Sequence, residues 1–90
     1  MACTVAHDNG RTVIHLTGHL DERDFNDIES GFEQALDRRD PAVVFDFAAL
    51  DRITTSMMAL MGVLRLQARR AGTTIELRNL APELRAALIR

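Results

Sequence analysis

The strongest constraint on the fold is a six-residue run, Ala42 to Phe47, which is apolar at every position except Asp46. A strand with one face in water alternates apolar and polar residues, so a run without alternation predicts a strand covered on both faces. Such strands are typical of the interior of parallel sheets, where crossover helices supply the cover. We therefore predict an α/β domain with residues 42–47 as a central strand.

Turn signals and apolar periodicity divide the rest of the chain into further strands and helices. We predict strands at 4–7, 12–17, 42–47 and 73–78, with Asn9-Gly10 turning the first two into a hairpin. Predicted helices start near Asp21, at Met57 and at Pro82, and Gly72 ends the second of them. The order β-β-α-β-α-β-α predicts a mixed, mostly parallel sheet of about four strands with helices packed on it.

The two longer helices each have an apolar stripe that indicates which face is buried. In the first helix, either Asp21 or Asp24 can cap the N-terminus, and the stripe comprises Phe25, Ile28, Phe32, Ala35 and Leu36. In the second, positions 57, 61, 64 and 68 are expected to face the sheet. Met58 lies off that face and is a candidate contact residue for a partner, although core packing is the plainer interpretation of a methionine cluster.

Composition excludes several classes of function. The chain has 90 residues, a formal net charge of −2, a single cysteine and neither Trp nor Tyr. We therefore expect one domain spanning 1–90, with no nucleic-acid partner, no intrachain disulfide and no metal or other cofactor. The longest uncharged stretch, Ile53 to Leu64, is too short to cross a bilayer, and the N-terminus shows no signal peptide, so a cytoplasmic location without membrane insertion is expected.

Four segments of the sequence resemble the STAS family, which includes the anti-sigma factor antagonists. Gly18-His19-Leu20-Asp21 resembles a G-x-L-D motif after the second strand, and 43–47 resembles an apolar strand with an embedded acid. Residues 53–58, Ile-Thr-Thr-Ser-Met-Met, resemble a D-S-S-G-L segment at the start of a helix. Residues 79–84 resemble an N-x-S-P motif at the third helix. The resemblance covers nearly the whole chain and implies the STAS fold.

The resemblance also implies a regulatory site at the start of the second helix. In anti-sigma factor antagonists of this family, a partner kinase phosphorylates the first hydroxyl of the D-S-S-G segment. That position is Thr55 here, and the second hydroxyl is Ser56. Thr54 stands where the family has Asp, and Met57 stands where it has Gly. The family also usually continues beyond the third helix with a further strand and helix, which this domain would lack.

We therefore expect a module that binds an anti-sigma factor or a serine/threonine kinase, and not an enzyme. The expected partner-binding residues are Gly18, Asp21, Arg52, Thr54, Thr55, Ser56, Met57 and Met58. The alternatives are an unphosphorylated scaffold in a stress-signalling complex, an accessory subunit of a lipid-transport ABC system, and a nucleotide-binding domain of flavodoxin-like shape. The hydroxyls at 54–56 could also be plain helix caps. Homo-oligomerisation is left open.

Overall fold

The computed structural model of the protein describes residues 3–50, 53–82, 85 and 86. Within these residues the elements are β1 (Cys3–Asp8), β2 (Arg11–Gly18), α1 (Glu22–Asp37), β3 (Ala42–Leu50), α2 (Thr55–Ala71) and β4 (Thr74–Arg78). The expected order is therefore confirmed through β4. Pro82, Arg85 and Ala86 also have helical backbone, and the remainder of the predicted third helix lies outside the described residues.

The four strands form one sheet in the order β1-β2-β3-β4. The first pair is an antiparallel hairpin, whereas β2–β3 and β3–β4 are parallel. The hairpin turn uses Asn9 and Gly10, both with positive φ, as an Asn-Gly turn requires. The expectation of a mixed, mostly parallel sheet is confirmed, and β3 lies inside it with a strand on either side.

The main core lies between one face of the sheet and both helices. Alternate residues of β3, namely Val43, Phe45 and Phe47, point into it because side chains alternate along a strand. On the opposite face of the same strand, Val44 is buried as well. This two-sided burial explains why the sequence of β3 shows no alternation. The helices contribute the buried residues Ile28, Phe32 and Ala35 from α1 and Met57, Met61, Leu64 and Ala68 from α2.

Specific residues fix the start of α1 and the end of α2. Asp21 caps α1: its carboxylate accepts from the Asp24 N–H at 3.0 Å, and the Asp24 carboxylate accepts from the Asp21 N–H at 2.9 Å. This is a reciprocal capping box. The second helix ends at Gly72, whose φ of 74° is the left-handed conformation expected of a glycine C-terminal stop.

A cluster of buried polar residues lies at the end of the sheet where β2 and β3 begin. The Thr12 hydroxyl donates to the Asp40 carboxylate at 2.5 Å, and the Thr73 hydroxyl donates to the Asp40 carbonyl at 3.2 Å. All three residues are buried, so these bonds satisfy groups that would otherwise be costly to remove from water. The cluster ties the start of β2 to the segments that precede β3 and β4.

Helix α1 approaches the edge strand β1 very closely at Gly31. A Cβ built on Gly31 would lie 2.9 Å from Cγ2 of Val5, closer than carbon atoms normally pack. Val5 is β-branched and stiff at χ1, so it cannot easily rotate out of the way. The absence of a side chain at Gly31 therefore sets how closely the helix packs on the strand.

We predict that Gly31→Ala destabilises the native protein by about 1 kcal/mol through this overlap. In a Val5→Ala background the same change should instead stabilise by about 0.5–1 kcal/mol, because alanine is the better helix former. Urea unfolding of the wild type, both single variants and the double variant forms the required cycle. Additive effects of the two substitutions would show that the close approach does not constrain the packing.

Candidate partner-binding site

Two segments leave the sheet side by side at the carboxyl edge of neighbouring parallel strands. Gly18, the last residue of β2, pairs with Leu50, the last residue of β3. The chain then runs into α1 after Gly18 and into α2 after Leu50, so both helices begin at this edge. Leu20 and Ile53 are partly buried against the core and anchor the two segments. The edge where parallel strands end is a usual place for sites in α/β folds.

The three consecutive hydroxyl residues have different roles in the structure. Thr54 is the N-cap of α2, and its hydroxyl oxygen accepts from the Met57 N–H at 3.2 Å. Thr54 is half-buried, whereas Thr55 and Ser56 are exposed in the first turn of the helix. One hydroxyl therefore explains the cap, and capping does not account for the other two.

The first turn of α2 offers a favourable environment for an anion. Helix N-termini present backbone N–H groups without intrahelical partners and the positive end of the dipole. The first turn of α1 carries Glu22 and Asp24, but the first turn of α2 contains no acidic residue. Negative charge at this end of α2 would thus meet favourable backbone electrostatics and no carboxylate from the same turn.

The neighbouring methionines point in opposite directions. The Met58 side chain is 38% exposed, in agreement with its expected position off the core face. Met57 is 1% exposed because it belongs to the 57, 61, 64 and 68 stripe that packs on the sheet. The expectation that Met57 contacts a partner therefore does not fit the structure.

The segment after β2 carries the remaining candidates. Gly18 has a φ of 62°, a conformation that favours glycine, and this turns the chain towards α1. Asp21 is exposed beside it, and the Asp24 N–H that bonds its carboxylate lowers its pKa. Asp21 thus has a structural role as a cap whether or not it contacts a partner. Arg52, the last of the expected contact residues, lies outside the described residues, as does Asp51.

A polar network on the opposite sheet face was not expected from the sequence. Oδ1 of Asp46 accepts from the Asn79 side chain at 2.9 Å and from the Ala48 N–H at 3.0 Å. Oδ2 lies 3.1 Å from Nδ1 of His15. The Asn79 hydrogen bond is the main reason why the pKa of Asp46 is lowered, followed by the bond from Ala48. The acid embedded in the central strand thus joins β3 to β2 and to the residue that follows β4.

The exposure of two apolar residues on the outer side of α2 was also not predicted from the sequence. Val63 and Leu66 are 54% and 49% exposed, and Gly62 lies on the same side of the helix. The sequence shows a helix that is apolar nearly all round for two turns, which is typical of full burial. The structure instead covers only one side. No helix within the described ranges is both long and apolar enough to span a membrane.

The sequence and the architecture both match known STAS proteins. The family model described as "Mlab, STAS domain" matches residues 3–90. The architecture therefore defines a STAS-type α/β domain, and the chain belongs to the STAS domain family. Among curated proteins, none is similar enough in sequence to count as a match.

Several solved structures share this architecture. Bacillus SpoIIAA in its phosphorylated form superposes with a TM-score of 0.79 at 19% identity, over 96% of this chain and 79% of that one. The anti-sigma factor antagonist SpoIIAA in its unphosphorylated form gives 0.74 at 26% identity, over 96% and 80%. An anti-sigma factor antagonist from Mycobacterium paratuberculosis gives 0.70 at 16% identity, over 96% and 74%.

A structure of Mglu also contains this fold, with a TM-score of 0.74 and 19% identity. The match covers 90% of this chain but only 20% of Mglu, so the chain spans about a fifth of that protein. At this identity the likeness is one of fold. The similarity to the anti-sigma factor antagonists covers 96% of this chain and 74% to 80% of those proteins.

We predict that Thr54→Ala destabilises the protein by about 1 kcal/mol, because the Met57 N–H loses its acceptor. Thr55→Ala is the matched control and should change the free energy of unfolding by no more than about 0.5 kcal/mol. Both values come from urea unfolding followed by far-ultraviolet circular dichroism. Equal losses in the two variants would contradict the assignment of the cap to Thr54.

We further predict that Asp46 contributes stability that is lost in acid. Its pKa is lower in the folded than in the unfolded state, so the contribution is present above the unfolded value of about 3.9 and disappears as pH falls through the folded value. The difference in unfolding free energy between wild type and Asp46→Asn should therefore stay constant from pH 7 to about pH 5 and shrink as the pH falls below about 4.

Asn79→Ala should shift the wild-type pH profile towards that of Asp46→Asn, because it removes the strongest donor to the carboxylate. Urea unfolding across the pH range measures all three proteins. A constant difference between wild type and Asp46→Asn at every pH would contradict this account of the network.

Proposed function

We propose that the protein binds an anti-sigma factor or a serine/threonine kinase through the start of α2, and that phosphorylation of Thr55 or Ser56 releases it. The observation that carries this proposal is the exposure of these two hydroxyls beside a third, Thr54, that already caps the helix. The similarity to anti-sigma factor antagonists over 96% of the chain supports the class of partner.

The surroundings of the two hydroxyls suit both modification and binding. They stand at a carboxyl edge of the sheet, next to the segment 18–21 and the exposed side chain of Met58. A flexible, polarisable methionine adapts its shape to a partner surface. Gly18, Asp21, Thr54, Thr55, Ser56 and Met58 form the proposed surface, with Arg52 as a further member outside the described residues.

A single phosphate at this place would act on the complex more than on the fold. It would add about −1.5 to −2 charges, held by the free N–H groups of the first helical turn. If the partner covers this turn, the phosphate must lose water or meet partner acids, which costs several kcal/mol. Because about 1.4 kcal/mol corresponds to a tenfold change in affinity, one modification is enough to end binding.

A second candidate function is a scaffold or an accessory subunit, in a stress-signalling complex or a lipid-transport ABC system, without phosphorylation. The family's Asp is replaced by Thr54, the residue before the candidate phosphorylation position Thr55. Thr54 caps the helix and carries no charge, which favours this alternative. Incubation with the anti-sigma kinase of the same genome and ATP separates the two. A gain of one phosphate by intact mass supports the switch, and an unchanged mass favours the scaffold.

For the switch we predict that Thr55→Glu weakens binding to the anti-sigma partner by at least about tenfold, through charge at the covered turn. Ser30→Glu is the matched control, since Ser30 is an exposed hydroxyl in α1, and it should leave the affinity unchanged. Isothermal titration gives the affinities, and circular dichroism checks that both variants keep the native helix content. Wild-type affinity in Thr55→Glu would rule out the proposed release at this residue.

A further inference from the structure

The outer face of α2, formed by Met58, Gly62, Val63 and Leu66, is an apolar surface on the outside of the protein. Its three side chains are between 38% and 54% exposed, and a Cβ on Gly62 would meet only open space. Spacings of three and four residues align Thr55, Met58, Gly62 and Leu66 in one stripe. Apolar side chains exposed together on one face of a helix are a common feature of interaction sites.

Positive charge accompanies this surface on α2, and the helix itself carries no acidic residue. The helix contains Arg65, Arg69 and Arg70 but no acidic residue, which gives it a formal charge of +3. All three arginines are exposed, and none has an ion-pair partner within the described ranges. The adjacent helix α1 has six acidic residues and one arginine, a formal charge of −5. Charge is thus segregated between two neighbouring helices.

This segregation decides between possible occupants. A flat anionic surface, such as a bilayer, would lie against α1 as well as α2 and would meet the acidic residues of α1. In a second copy, α2 packed on α2 would bring six arginines together without an acid. The exposed side chains of α1 in a second copy are all polar, so they supply no apolar counterpart. The surface therefore fits a narrow partner segment that carries both apolar and acidic side chains.

We infer that the outer face of α2 binds an amphipathic helix of the partner protein, with apolar side chains packed around Gly62 and acidic side chains paired with the three arginines. This inference rests on the proposed function, because the stripe begins at Thr55. From Thr55 to Leu66 it extends roughly 16 Å, about three turns of a bound helix. Gly62, in the middle of the stripe, lets the backbone of the bound helix approach closely.

A helix bound along this stripe would also be the group on which a phosphate at Thr55 acts. A phosphate on Thr55 would stand at one end of the stripe and repel an acidic helix that lies along it. Ser56 is about 100° further round the helix, off this stripe and in line with Val63. Of the two exposed hydroxyls, Thr55 is therefore the one whose modification opposes the bound helix directly.

Two synthetic helical peptides of about five turns serve as probes. They share one leucine face and differ only in the flanking charges, which are Glu in one and Lys in the other. Titration into the ¹⁵N-labelled 90-residue chain should shift amide resonances of the outer face, with the Glu peptide binding at least about tenfold tighter. Equal affinities, no binding of either peptide, or shifts confined to another face would overturn the inference.

Variants of the protein test the charge pairing. The triple variant Arg65→Glu, Arg69→Glu, Arg70→Glu should reverse the preference and bind the Lys peptide more tightly. Arg23→Glu in α1 is the control and should retain the wild-type order, since Arg23 is exposed on the other helix. Vesicles of phosphatidylglycerol form a further arm. Co-sedimentation of the protein with these vesicles would overturn the inference in favour of a membrane surface.

The anti-sigma partner separates this inference from the proposed function. Leu66→Glu should weaken that complex by at least about tenfold if the partner helix extends along α2. If Thr55→Glu weakens the complex and Leu66→Glu does not, the proposed function stands and the extended docking fails. If neither variant weakens it, the proposed function fails as well.

Discussion

The burial of β3 on both faces is the constraint on which the rest of the structure depends. Its side chains fill the core on the side of the helices and pack on the opposite face as well, so the strand can lie only inside the sheet. Because β2 and β4 both run parallel to β3, the chain leaves β3 at the carboxyl edge of the sheet, and α2 begins there. The position of Thr54, Thr55 and Ser56 at an accessible edge follows from this one strand.

The local geometry gives three similar residues different roles. The hydroxyl of Thr54 caps the helix, whereas Thr55 and Ser56 are exposed to solvent. A helix N-terminus needs a side-chain acceptor, and a single hydroxyl supplies it. Once Thr54 accepts from Met57, the hydroxyls of Thr55 and Ser56 are not needed for the cap. Because Met57 enters the core in the same turn, the direction in which Thr55 faces is fixed by packing. The proposed modification of Thr55 would therefore change the surface that a partner meets and leave the core packing in place.

The sequence could predict the features that follow from periodicity and from capping chemistry. The unalternating run 42–47 predicted the central strand, and the 57, 61, 64 and 68 spacing predicted the buried face of α2, both of which the structure confirms. It could not tell which of three adjacent hydroxyls is the cap, since each is chemically competent. The network of Asp46 with His15 and Asn79 joins residues up to 33 positions apart, and only strand register brings them together.

The outer face of α2 shows that a high content of apolar residues does not by itself mean that a helix is buried on all sides. Four residues of α2 form the stripe that enters the core, whereas Met58, Val63 and Leu66 lie off that stripe and are exposed. Val63 and Leu66 are about half exposed, so each gives the domain only part of the free energy that full burial would supply. The helix carries Thr55 at its start and its three arginines in its second half, so its fixed positive charge lies towards the far end. In the proposed complex, acidic side chains of the bound helix pair with these arginines, and a phosphate on Thr55 would repel the same helix.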